Sequence, residues 1–283
     1  MFLALALLAA VPAGALAQPP PFRPPPRFVG AGKADQAEGR AVLDAFRGQG
    51  IAGTYWLAFE LRVMPRRGDE RTVAGQLLGT RSAAGPVTRL TFPGRAGAAA
   101  EQRWLIRSGA APAAWSWQSG AAAPRALTGA DTFQAVGDTD LTLFDLQMPF
   151  LYWPDFVYEG LAKIRGRPAH SFVLYPPADF AAQRPQLTGV RVALDTQFGA
   201  LVQAELLGAN GQAAKTITVI DMKKVGEQWL VREIDLRNTV TRDKTRFIVK
   251  AAALNLSLPA DVFEAAGLPR DTPAIPAAAV EHL

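Results

Sequence analysis

Early in the chain the spacing of apolar side chains switches from helical to extended. Ala37, Ala41, Val42, Ala45 and Phe46 recur at i, i+4, i+5, i+8 and i+9, one stripe of a helix over 35–47. Asp35 can cap its first turn, and Gly48 and Gly50 can end it. From Tyr55 the period falls to two: Tyr55, Leu57, Phe59, Leu61 and Val63 share one side of a strand, Glu60 and Arg62 the other. Similar stretches predict strands over 72–81, 87–93, 102–107 and 113–118. The second half continues the pattern over 156–165, 169–175, 188–195, 200–207, 213–223, 228–237 and 245–254. Arg165-Gly166, Asn210-Gly211 and Val225-Gly226 supply the residues that tight hairpin turns need at positive φ. Strands joined in this way form an antiparallel meander, and one this long curls, because open twisted sheets rarely exceed roughly ten strands.

The alternation also nominates an inner face. Tyr55, Leu57, Phe59, Leu61, Leu90, Phe92, Trp104, Ile106, Trp115 and Trp117 are its candidates in the first half. Val192, Ile217, Val219 and Trp229 are those of the second. A large curled sheet leaves an interior that few side chains fill completely, and larger barrels hold an apolar ligand there. The assignment depends on register, since a shift of one residue inverts every side chain.

The ends suggest a compartment. Phe2 to Val11 is apolar and uncharged, Pro12 and Gly14 break it, and Ala15-Leu16-Ala17 follows. This reads as a signal peptide over 1–17, too short an apolar run to span a bilayer at roughly 20 residues per crossing. Gln18, not Cys, stands after the cleavage site, so the expected product is periplasmic, soluble and unlipidated, with no stable membrane span. Residues 18–33 begin with six prolines in nine residues and read as an extended linker. A single β domain is expected over 34–266, with a C-terminal tail over 267–283. Net charge is +5 and pI about 9.7, but Lys and Arg are scattered, without the stripe that nucleic acid binding requires.

Catalytic chemistry is sparse. There is no Cys, and the only histidines are His170 and His282. No serine sits in a G-x-S-x-G setting, and H-E-x-x-H, calcium and phosphate loops are missing. Two carboxylate groups remain: Asp138, Asp140 and Asp145, and Glu233 with Asp235. The reading is of a protein without catalytic residues, metal or cofactor.

Four segments resemble the outer-membrane lipoprotein-sorting family of LolA/LolB-like periplasmic carriers. Asp221-Met222-Lys223-Lys224-Val225-Gly226-Glu227-Gln228-Trp229 through Arg237 is similar to a characteristic hairpin of that family, with Asp221, Lys224, Trp229 and Arg237 at motif positions. Gly137 to Leu146 resembles its acidic loop, carried by Asp140 and Asp145. Gly166 to Leu174 resembles a strand, and Leu258-Pro259-Ala260-Asp261-Val262-Phe263 its closing segment. Phe144 departs from the pattern, standing where the family usually has Glu, as does Leu143 in place of Tyr. The resemblance implies a mainly-β fold. Its curled antiparallel sheet of about ten or eleven strands forms an incomplete barrel, with one N-terminal helix and short helices covering one side. It further implies a non-enzymatic carrier whose apolar cavity shields the acyl chains of a lipid or lipoprotein. Its partners would be an inner-membrane transporter or an outer-membrane acceptor. The same fold also admits an envelope-stress sensor acting through protein contact, and the carboxylate groups leave room for an envelope hydrolase.

Overall fold

The computed structural model describes residues 22–28, 34–94, 100–137 and 139–283. The expected signal peptide and the first prolines of the linker lie outside the described residues. Helix α1 (Gln36–Gly48) leads into β1 (Tyr55–Met64), β2 (Arg71–Ser82), β3 (Gly85–Phe92), β4 (Gln102–Arg107), β5 (Ala113–Gln118) and β6 (Arg125–Leu127). A helical stretch follows: 3-10 turns at Gly129–Phe133 and Pro149–Tyr152 flank the short α2 (Leu143–Gln147). The second half comprises β7 (Phe156–Ile164), β8 (Arg167–Leu174), α3 (Ala178–Gln183), β9 (Gly189–Asp195) and β10 (Leu201–Leu207). Then come β11 (Ala213–Val225), β12 (Gln228–Asn238), β13 (Lys244–Ala253) and a terminal β14 (Glu281–His282).

Among the described residues, all 14 strands lie in one antiparallel sheet. The total exceeds ten or eleven partly because β6 has three residues and β14 two, both too short to leave a periodic trace. The order is β6-β5-β4-β3-β2-β1-β13-β12-β11-β10-β9-β8-β7. The chain thus steps outward from β1 to one edge, crosses to the opposite edge through the helical stretch, and steps back until β13 pairs with β1. Edge strands β6 and β7 do not pair with each other, so the barrel is incomplete. The helical stretch spans that opening and is called the bridge below.

Local chemistry fixes these elements. The Asp35 carboxylate accepts from the N–H of Ala37 at 2.8 Å and so caps α1. Gly39 lets the helix lie directly on β7, since a Cβ there would stand 2.3 Å from Cβ of Tyr158. The β7–β8 turn places Arg165 at φ 50° and Gly166 at φ 85°, both in the left-handed region that a two-residue type I′ turn demands.

The outer face is strapped at both ends of the chain. Residues 22–28 cross its second half: Tyr175 donates to the carbonyl of Pro24 at 2.8 Å, Arg23 lies 3.5 Å over the Tyr175 ring, and the Arg27 N–H donates to Glu159 at 2.7 Å. At the other end, residues 260–271 cover the outside of β3 to β5. Arg89 and Arg103 are almost wholly buried there and donate to the carbonyls of Gly267, Leu268 and Arg270. Arg103 also meets Glu101 at 2.7 Å and Asp271 at 2.8 Å. Burial, with the neighbouring Arg103 charge, pulls the Arg89 pKa down to about 10.

Candidate functional site

The concave face is an apolar surface built from alternate residues of most strands. Phe59, Leu61, Leu90, Phe92, Ile106, Val192 and Ile217 belong to one buried cluster, with Trp104 packed against it. Phe59 stacks on Phe247 at 4.7 Å and meets Phe92 edge-on at 5.7 Å; Phe92 meets Trp104 edge-on at 5.5 Å. Room for Phe59 comes from its cross-strand partner Gly75, where a Cβ would stand 2.3 Å from the ring. Val219 lies two residues beyond Ile217 and is half-buried. Leu57 and Tyr55 pack at the start of β1, in a second cluster with Val225, Leu230, Val249, Ala252 and Leu283.

Three expected lining residues lie elsewhere. Register pairs Leu105 with Trp115 and Arg103 with Trp117, which puts both tryptophans on the outer face. They pack there with Val87, Leu105, Phe263 and Leu268, while Ala114 joins the inner cluster in their place. Strand β5 carries its bulk outward because residues 260–271 cover it. Trp229 is inverted in the same way. Its neighbour Leu230 is the buried side chain, whereas Trp229 is 51% exposed and lies 5.8 Å from the ring of Phe198.

The bridge supplies what the alternation could not show. Leu143, Phe144, Phe150, Leu151 and Trp153 are buried against the concave face. Phe144 is the hub: its ring lies 4.8 Å from Phe133, 5.7 Å from Phe150, 5.7 Å from Phe180 of α3 and 6.4 Å from Trp153. A glutamate there would bury a charge among rings, so the departure from the family pattern follows from the packing.

Polar contacts fix the bridge to its surroundings. Thr142 and Asp145 form a capping box on α2. Lys215 of β11 donates to the Asp145 carboxylate and, at 2.5 Å, to the backbone oxygen of Asp140, so the two aspartates of the acidic loop meet at one cation. Asp145 Oδ2 takes all of these bonds, while its buried Oδ1 has no partner among the described residues. Gln147 donates to the carbonyl of Arg107 at 3.0 Å, and Arg47 of α1 to that of Leu151 at 2.6 Å. Lys215 gave no signal in the sequence, because its partner lies 70 residues away.

Most of the remaining polar candidates pair within the structure, and Asp138 lies outside the described residues. Asp221 pairs with Arg232, Lys224 with Glu227 at 3.1 Å at the hairpin tip, and Arg237 is exposed on β12. Asp235 is held by Arg246 at 2.6 Å and Lys244 at 2.7 Å, and Glu233 by Arg232 at 3.2 Å. Burial raises the Asp235 pKa, but donation from Arg246 and Lys244 outweighs it and holds the group below the usual carboxylate range. Asp140 shifts upward through burial and the Asp243 charge, partly offset by Lys215. His170 Nδ1 shares a 2.8 Å hydrogen bond with Tyr158 Oη. Among the described residues no three His, Cys, Asp or Glu side chains converge as metal ligands, and no helix is long and apolar enough to cross a membrane.

Solved structures share this open antiparallel sheet. A putative outer membrane lipoprotein-sorting protein domain from Vibrio parahaemolyticus superposes with a TM-score of 0.71 at 15% identity, covering 83% of this chain and 100% of that one. A DUF1329 family protein from Desulfovibrio piger gives 0.69 at 13%, covering 82% and 98%. A LolA superfamily protein from Nitrosomonas europaea gives 0.59 at 13%, covering 82% and 98%. At these identities the likeness establishes the fold. The family whose description reads "Uncharacterized protein" matches residues 97–270, more than half of the chain, and the chain belongs to that family. No curated protein matches it.

Proposed function

We propose that this chain is a non-enzymatic periplasmic carrier that shields acyl chains of a lipid or lipoprotein on its concave face, in lipoprotein sorting or lipid transfer. The observation that carries the reading is the nature of the cover. The apolar face is closed by the bridge, a set of short helical turns that itself presents Leu143, Phe144, Phe150, Leu151 and Trp153. An acyl chain can replace these side chains one apolar surface for another.

The magnitudes suit exchange. Burying a large apolar side chain is worth roughly 1.5–3 kcal/mol, so the five bridge residues together contribute about 10 kcal/mol. An acyl chain of about a dozen methylenes at roughly 0.8 kcal/mol each also contributes about 10 kcal/mol. Near balance allows both uptake and release, which a carrier needs. The carboxylates of Asp145 and Asp235 are engaged in a helix cap and in ion pairs, which supports a structural use of these groups.

A lipid bearing a photoreactive group near its acyl terminus tests this. After irradiation and digestion, label is expected on peptides holding Phe59, Phe92, Trp104 or Phe144. Label confined to the outer-face Trp115 and Trp117 would overturn the assignment.

A further inference from the structure

Six large apolar side chains are exposed among the described residues: Phe22, Phe28, Leu161, Phe198, Trp229 and Val240. Three of them gather at one end of the sheet. Leu161 approaches the β7–β8 turn, Phe198 sits in the β9–β10 turn, and Trp229 opens the β11–β12 hairpin on its second residue. The three hairpins are consecutive in the sheet and point the same way, as antiparallel order requires. Phe198 and Trp229 touch, with ring centroids 5.8 Å apart.

The exposed charges around them are mostly positive. Lys163, Arg165, Arg167, Lys223 and Lys224 are exposed on the same hairpins. Among the described residues only Lys224 of these has an ion-pair partner, Glu227, the single exposed acid on the three turns. Asp195, the other acid there, is buried and accepts from the N–H groups of Gln197 and Phe198 at 2.8 and 2.9 Å. That bond pair presents Phe198 outward on a fixed turn. Beside Leu161 lies a shallow hollow of about 460 Å³, lined also by Ala162, Lys163, Gly166 and Pro168.

We propose that this end of the sheet docks on an anionic phospholipid surface, with Phe198, Trp229 and Leu161 entering the headgroup region and the five cations facing lipid phosphates. Aromatic rings favour the membrane–water interface because one part of them is apolar and another polar. Unpaired Lys and Arg near an anionic surface each strengthen binding by roughly fivefold. The inference is independent of acyl-chain carriage, because docking concerns the protein's outside, whatever its interior holds.

The test is vesicle flotation of the full chain. One set of vesicles is phosphatidylcholine alone and the other phosphatidylcholine with phosphatidylglycerol; tryptophan quenching by lipids brominated on their acyl chains is read in parallel. Flotation is expected with the anionic vesicles only, weakening as salt rises. The variant Lys163→Gln, Arg165→Asn, Arg167→Gln should bind on the order of a hundredfold more weakly; Asn suits the positive φ of Arg165. Trp229→Phe should still float but lose the share of bromine quenching that Trp229 supplies, any remainder reporting Trp104 and Trp153 of the concave face. Equal flotation with both vesicle types, no flotation at low salt, undiminished binding of the triple variant, or quenching undiminished by Trp229→Phe would each overturn the proposal. Circular dichroism of each variant establishes that it is folded, and these turn positions are exposed, so the native fold is expected to persist.

Discussion

Replacing Phe144 by Ala separates the bridge's two roles, as part of the core and as competitor for the cavity. Phe144 is 1% exposed and touches four other aromatic rings. Truncating a buried Phe to Ala costs about 3–5 kcal/mol, through lost transfer energy and the space left behind. Domain stabilities of about 5–15 kcal/mol absorb that loss, and for a chain of this size Tm should fall by roughly 10 °C. The same loss loosens the bridge's hold on the concave face. An acyl chain competing with a bridge weakened by about 3 kcal/mol gains at most on the order of a hundredfold in affinity. The assay pairs a thermal melt followed by near-ultraviolet circular dichroism with titration of a fluorescent fatty-acid analogue. The account expects lower Tm together with tighter probe binding. A variant that melts earlier yet binds the probe unchanged or more weakly would refute the idea that bridge and acyl chain compete for one surface.

Other perturbations follow from the same geometry. Lys215→Met leaves the buried Asp145 carboxylate without its cation and should cost about 3–5 kcal/mol, and Asp145→Asn on that background should recover much of the loss, measured by urea denaturation. Asp235, with its pKa held below the usual range, contributes stability that is fully present above the unfolded aspartate value of about 4 and is lost as pH falls through its lower folded value. Asp235→Asn should therefore flatten the acid limb of a stability–pH profile, and an unchanged limb would count against the ion pairs with Arg246 and Lys244. Gly75→Leu should displace the Phe59 ring and lower Tm, and a crystal structure showing Phe59 unmoved would contradict the close approach described.

Most of the sheet was legible because its strands alternate. The run from Tyr55 to Val63 and the strands from Phe156 onward carry a period of two that survives in the structure to within about two residues at each end. Alternation identifies two faces without saying which is inner, and the errors lie where that choice was made on bulk. In β5 the tryptophans face outward because a distant segment covers them; in β12 a shift of one residue exchanged Trp229 for Leu230. The bridge escaped for a different reason. Five residues of α2 are too few to show a helical period, and the Phe144 cluster joins residues from 133 to 180. Arg89 and Arg103 occupy alternate positions that read as a solvated face. Their partners are backbone carbonyls up to 181 residues away, which no local pattern encodes.

The most direct measurement is native mass spectrometry of the protein purified from a periplasmic extract, before and after extraction with organic solvent. The account predicts an added mass matching a phospholipid or an acylated peptide that disappears on extraction and returns when lipid is supplied. A single apo mass in every condition, including with lipid added, would mean that the bridge permanently fills the concave face and that the protein carries no acyl chain.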